Sequence, residues 1–297
     1  MVRELITGAP RRWTVVWLVS TALLCAALFV LVYRSAVHTT RGRLLDGAAF
    51  RGAVVSRSRL TEYVEGVLDV VSVLALVVAA AAIVGIALVR RRRWLALAAA
   101  SLIVGANATT QLLKSTVLSR PDLGLQETTP ATLNSLPSGH STVALSVVAA
   151  LVLVVPAALR PALCVVGVAF ASLTGLATLS AGWHRPSDTV AAFLVVGAWA
   201  ATLGLMLVLL IDPAKADGAD DADRAPLVAH RRTARLLAVA AAYLLAFGGL
   251  LSAVIVGTDL TAEGGASALV PAYLAGGGAI AGTGAAVMAA LLVAVAD

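Results

Sequence analysis

Residues 137–155 read PSGHSTVALSVVAALVLVV, a turn tetrapeptide that runs straight into an apolar stretch broken only by Ser146. The run from Val143 to Val155 is too continuous for a half-exposed strand, so the spacing predicts a helix that opens at the tetrapeptide. Ser138 and Gly139 then fall at a helix N-terminus, where unpaired backbone N–H groups and the helix dipole favour an anion. His140 in the same turn can donate or accept a proton beside whatever is held there. Taken alone, the tetrapeptide reads first as an ordinary N-cap serine followed by a glycine and a surface histidine.

The rest of the chain decides the class. Across 297 residues, 60% are hydrophobic and 13% charged, with a mean hydropathy of +0.95. Soluble domains are nearer half apolar and a quarter charged, so a soluble globular fold is excluded and an integral membrane protein is expected. Lys114 and Lys215 are the only lysines, and the arginine, alanine and valine bias points to a GC-rich bacterial genome. Cys25 and Cys164 both lie in apolar runs and are expected to pack as small hydrophobes.

Eight stretches are long and apolar enough to cross a bilayer as helices: Trp13–Tyr33, Val67–Val89, Leu95–Leu113, Ser141–Leu159, Ala162–Ala181, Thr189–Ile211, Leu236–Gly257 and Pro271–Val295. In lipid only helices or closed barrels satisfy the backbone, and these runs are too long for barrel strands. The expected fold is an all-α polytopic bundle of about eight transmembrane helices. The first run has no clear small-x-small cleavage site and reads as a retained signal anchor. With both termini cytoplasmic, thirteen of the 22 Lys and Arg residues fall inside and nine outside, Arg90–Arg93 being the strongest determinant. Six of the outer ones, from Arg34 to Arg59, lie in the first loop and are expected to form a solvated face partly offset by Asp46, Glu62 and Glu65.

This topology brings three polar clusters to the extracytoplasmic side. Lys114, Arg120 and Pro121 follow the third span; Asn107, Gln111 and Lys114 share one helix face at i, i+4 and i+7. Pro137–His140 opens the fourth. His184-Arg185-Pro186-Ser187-Asp188 connects the fifth to the sixth, and its spacing lets the Asp188 carboxylate reach a His184 ring nitrogen, leaving the other free to attack. A snorkelling lysine and a plain helix cap are the structural alternatives for the first and third clusters. The Asp- and Ala-rich segment Asp212–Ala225 lies on the opposite face and reads as a linker. The final run, with Gly276, Gly277, Gly278, Gly282 and Gly284, suits close helix packing.

In this order the clusters resemble the signature of the type 2 phosphatidic acid phosphatase family, membrane lipid phosphate phosphatases that share a helical core with vanadium haloperoxidases: K-x6-R-P, then P-S-G-H, then S-R-x5-H-x3-D. The middle motif is complete. The first is one residue short, and at the family arginine of the third stands Thr178, with no arginine between Leu163 and Trp183. Arg185 is the nearest substitute for that charge. The resemblance covers Leu95 to about Ile211, which implies a six-helix core over residues 1–211, a cytoplasmic linker at 212–235 and two additional helices over 236–297.

The family's mechanism, carried onto this chain, has Lys114, Arg120, Ser138, Gly139 and Arg185 holding the phosphate. His184, oriented by Asp188, is the nucleophile; His140 is the acid and then the base. It implies no metal and no cofactor, since cations stabilise the charge, and His38 and His230 stand apart from the cluster. The implied partners are membrane lipids and a lipid phosphate or polyprenyl diphosphate substrate, with no nucleic acid. The expected function is hydrolysis of that lipid at the outer face of a bacterial membrane through a phosphohistidine. A phosphotransferase of the same fold, or a phosphate-binding or transport protein weakened by Thr178, are the alternatives.

Overall fold

The computed structural model describes residues 2–53, 73–125, 134–210, 227–257 and 268–295. They form nine helices and no strand. In chain order these are α1 (Val2–Val32), α2 (40–53), α3 (Val73–Val89), α4 (Arg93–Leu112), α5 (Gly139–Val154), α6 (Arg160–Ser180), α7 (Pro186–Leu210), α8 (Leu227–Ile255) and α9 (Leu269–Ala294). Wider π turns, Tyr33–Val37 and Leu113–Val117, extend α1 and α4.

The all-α bundle expected from the sequence is therefore what the described residues build, and each of the eight apolar runs is helical over most of its described length; 67–72 and Ile211 lie outside the described residues. Six helices are long and apolar enough to cross a membrane, which makes the protein a multi-pass membrane protein. The other two runs are shorter among the described residues, at Ala75–Val89 and Gly139–Val154. Sixteen residues of α5 rise only about 24 Å. The helix stops there because Val155 is extended ahead of Pro156, which disfavours a helical residue before it.

Burial separates an inner from an outer set. The apolar windows of α1 and α8 are 11% and 17% buried, whereas that of α9 is 61% buried. The exposed Leu23, Leu24 and Val30 of α1 and Leu236, Tyr243 and Leu250 of α8 are the side chains lipid would solvate. Helix α9 sits inside because its glycines admit neighbours. A Cβ on Gly278 would stand 2.8 Å from the Leu244 carbonyl of α8, and one on Gly276 would stand 2.5 Å from Cγ of Pro186 at the start of α7. The glycines of the last run pack as their composition implied, and one of their contacts is the turn that opens α7.

Hydrogen bonds between helices fix the inner set, each contributing of order 1 kcal/mol in a membrane setting. Thr110 and Thr142 join α4 to α5 at 2.9 Å, Asn107 Nδ2 donates to Ser146 Oγ at 3.2 Å, and Trp199 Nε1 of α7 donates to Thr109 Oγ1 at 3.0 Å. Ser141 and Thr189 pair at 3.2 Å between α5 and α7. Asn107 is thus a helix-joining residue, while Gln111 of the same face reaches the start of α5, its Nε2 being 3.6 Å from where a Cβ on Gly139 would lie.

Two sequence expectations are corrected here. The first outer loop is not simply a solvated face, because residues 40–53 form helix α2. Arg43 and Asp46 are buried in it, Arg43 Nε donating to Val37 O at 2.9 Å and Nη2 to the Pro121 carbonyl. Its buried apolar positions include Ala49, Phe50 and Ala53. Helix α8 also starts nine residues before the expected Leu236. The buried positions His230, Ala234, Leu237 and Ala241 continue one face across the arginines, so 227–235 is helix; 212–226 lies outside the described residues. Cys25 and Cys164 are free and buried, as small hydrophobes are.

Candidate active site

Four helix termini meet at one end of the bundle. The C-terminal turn of α4 supplies Lys114, the N-terminus of α5 supplies Ser138–His140, and the junction of α6 with α7 supplies His184–Asp188. The Ser138 N–H donates to the Asp188 carbonyl at 2.9 Å, which ties the start of α5 to the start of α7. At the C-terminus of α6, Gly182 turns at a φ of 76°, a region that favours glycine, and the amides of Trp183 and His184 fold back onto the Thr178 carbonyl.

Asp188 is fully buried and its Oδ2 is the focus of the turn. It accepts from Ser135 Oγ at 2.7 Å and from the Arg185 N–H at 2.9 Å, and it pairs with His184 Nδ1 at 3.2 Å. With a carboxylate as partner, Nδ1 carries the proton and Nε2 keeps its lone pair. The expected i, i+4 reach of Asp188 to His184 is present. His140 lies across from it, ring centroids 6.4 Å apart, and packs against Trp183 at 5.3 Å. Trp183 is half exposed, as suits an amphipathic ring at a membrane interface.

Ser138 is buried as the N-cap of α5, its Oγ accepting from the Ser141 amide at 3.3 Å and hydroxyl at 3.0 Å. Its oxygen accepts within the helix and its own O–H proton is not used there; the amides of Gly139 and His140 are further donors at this terminus. Lys114 is within electrostatic reach of both Asp188 and His140. The structure thus brings together Lys114, Ser138, Gly139, His140, His184 and Asp188.

Arg185 goes elsewhere. Only 2% exposed, its guanidinium lies 5.9 Å over the Phe50 ring of α2 and interacts electrostatically with Asp46. Arg120 is half-buried in the segment after α4, next to the Pro121 carbonyl that Arg43 holds. Thr178 is fully buried, its hydroxyl donating to Gly175 O at 2.8 Å within α6. His38 packs edge-on against Tyr33. Among the described residues no three of the His, Cys, Asp and Glu side chains gather as a metal set.

Sequence reasoning missed three neighbours. Ser135 and Trp183 sit beside motifs but belong to no spacing rule. Asp46 entered only as an offsetting charge, yet it accepts from the Ser187 N–H at 3.1 Å and Ser187 Oγ at 2.5 Å. Burial, reinforced by the nearby Asp188, pushes its carboxyl up to about 6 against the opposing Ser187 bond.

Compared with known families, residues 94–212 match the model described as the PAP2 superfamily. The match falls on the segment α4–α7. Its boundaries coincide with the stretch over which the three motifs resemble type 2 phosphatidic acid phosphatases, and α1–α3, α8 and α9 lie outside them. No curated protein and no solved structure matches the chain. The superfamily is in general one of phosphatases, so a PAP2 domain carried on membrane-length helices suggests a membrane phosphatase.

Proposed function

We propose that the protein hydrolyses a lipid phosphate or lipid diphosphate through a covalent phosphohistidine on His184. The observation that carries this reading is the pairing of His184 Nδ1 with the buried Asp188 opposite a second imidazole, His140, at a ring separation of 6.4 Å. One phosphoryl group fits between two such rings, in line with a nucleophile on one side and a proton donor on the other.

In the first half-reaction His184 Nε2 attacks phosphorus, the bond from phosphorus to the lipid-side oxygen breaks, and His140 gives that oxygen its proton. In the second, His140 takes a proton from water, the hydroxide oxygen bonds to phosphorus, and the N–P bond breaks to release inorganic phosphate. Lys114 and the amides of Gly139 and His140 stabilise the charge on the equatorial oxygens; phosphoryl transfer depends mainly on such positioning and electrostatics. Arg120 is a further phosphate ligand in this reading. Arg185 is drawn toward Asp46, and the Ser138 hydroxyl, which caps α5 as an acceptor, keeps its own proton to give a phosphate oxygen.

The same reading places the active site at the extracytoplasmic face of a bacterial membrane with both termini cytoplasmic. Arg90 Nη1 donates to Val154 O and Arg160 Nη1 to Val295 O at the end of the bundle away from the site, which agrees with arginines marking the cytoplasmic side. An apolar chain remains in lipid while the headgroup meets the four termini. Thr178, a neutral residue sealed into α6, favours a second reading in which phosphate is bound and turnover is slow.

The test is phosphate release by purified protein from a short-chain phosphatidic acid and a polyprenyl diphosphate. Release by wild type that is lost in His184→Ala supports hydrolysis. Tight phosphate binding without release supports the second reading, and release that persists in His184→Ala contradicts the mechanism.

A further inference from the structure

Helix α2 lies outside the PAP2 segment, yet it holds the turn that carries His184 and Asp188. The residue that precedes α7 is Arg185, whose side chain has no acceptor, so α7 cannot be capped from its own N-cap position. Asp46, 141 residues away, does it from α2: Oδ1 takes the Ser187 N–H and Oδ2 takes the Ser187 hydroxyl. The same carboxylate faces the guanidinium of Arg185, which Phe50, one turn further along α2, covers at 5.9 Å. Residues 184–188 are thus gripped from within by Asp188 and from outside by Asp46.

We propose that Asp46 is a positioning residue for the reaction: it caps α7 from another helix and draws Arg185 toward α2, which fixes the turn so that His184 stays on Asp188. The assignment rests on the phosphohistidine reading above. Burial pushes the Asp46 carboxyl up to about 6, so the neutral form is the less costly one for the fold. An amide at this position keeps the shape but accepts from only one of the two Ser187 donors and turns its own donors toward Arg185.

The experiment measures steady-state phosphate release from a short-chain phosphatidic acid and a polyprenyl diphosphate, with thermal melts, for full-length wild type, Asp46→Asn and Ser187→Ala. Asp46→Asn is expected to melt no lower than wild type while kcat falls on the order of ten- to a hundred-fold, as small misplacements of a nucleophile do, with KM within about twofold. Ser187→Ala, which removes one of the two bonds, is expected to lose several-fold in kcat at an unchanged melt. Wild-type kcat in both variants overturns the assignment, as does a loss that only tracks a lower melting temperature. If wild type releases no phosphate from either lipid, the hydrolase reading fails by itself, and diethyl pyrocarbonate labelling of His184, mapped by mass spectrometry, decides the role of Asp46. A labelling rate at His184 changed more than about threefold in Asp46→Asn, with His140 unchanged, supports positioning; equal rates overturn it.

Discussion

At one end of the bundle Lys114, His140, His184 and Asp188 answer one another across four helix termini, whereas at the other Arg90 and Arg160 answer backbone carbonyls of Val154 and Val295. Both ends hold charge where helices stop. At the arginine end each cation satisfies an orphan carbonyl at a helix C-terminus, an interaction that the dipole favours and that needs no other side chain. At the histidine end the helix N-termini already supply positive potential, and side chains of both signs are buried against each other. Such an arrangement is expensive to fold and poised for chemistry. On the proposed reading the difference is that the arginines orient the protein without shaping the site, while substitutions at the site end alter reactivity.

The largest contrast comes from exchanging the two ends in mutagenesis. His184→Ala is expected to lower kcat/KM for lipid phosphate at least about a thousand-fold, and Arg160→Gln to leave it within about twofold, both read by phosphate release. Next is Lys114→Ala, which removes a cation from the phosphate oxygens and is expected to cost about a hundred- to a thousand-fold in kcat.

Asp46 sharpens the comparison through pH. Its folded value of about 6 lies above the ordinary 3.8, so the native state holds the extra proton between those values. The contribution of Asp46 to stability is therefore greatest below about pH 4, falls as pH rises toward 6, and is flat above it. The facing groups are Asp188, which opposes ionisation, and Ser187 and Arg185, which favour it. Asp46→Asn, neutral throughout, is expected to lack this pH dependence, so that its stability relative to wild type rises between about pH 4 and 6 in thermal melts.

The packing of α9 gives a smaller effect. Gly276→Val puts carbon where Pro186 Cγ would be 2.5 Å away, and the clash is expected to cost about 1–3 kcal/mol in melts and to slow kcat by shifting the 184–188 turn. Smallest is Arg90→Gln, expected to lose about 1 kcal/mol with kcat unchanged.

The sequence makes the eight apolar runs legible because lipid permits only one local answer to each, and the described part of each is mainly helix. Lys114, His140, His184 and Asp188 are legible too, because helical spacing and helix termini converge on one end. Helix α2 escapes this reading: Arg41, Arg43, Asp46 and Arg51 break its hydropathy, and its role depends on a hydrogen bond between residues 141 positions apart. The direction of Arg185 is hidden for the same reason, since only the fold places Asp46 and Phe50 beside it. Ser138 has one sequence signature for two roles, cap and ligand, and its Oγ makes the cap.

The most direct test of the account is to trap the covalent intermediate. Purified protein is mixed with lipid phosphate labelled with ³²P, quenched in alkali to preserve phosphohistidine, digested and mapped by mass spectrometry. The account predicts an acid-labile, alkali-stable label on His184 that chases into inorganic phosphate and does not form in His184→Ala. Phosphate release from His184→Ala at the wild-type rate, or a label on any other residue, would contradict it.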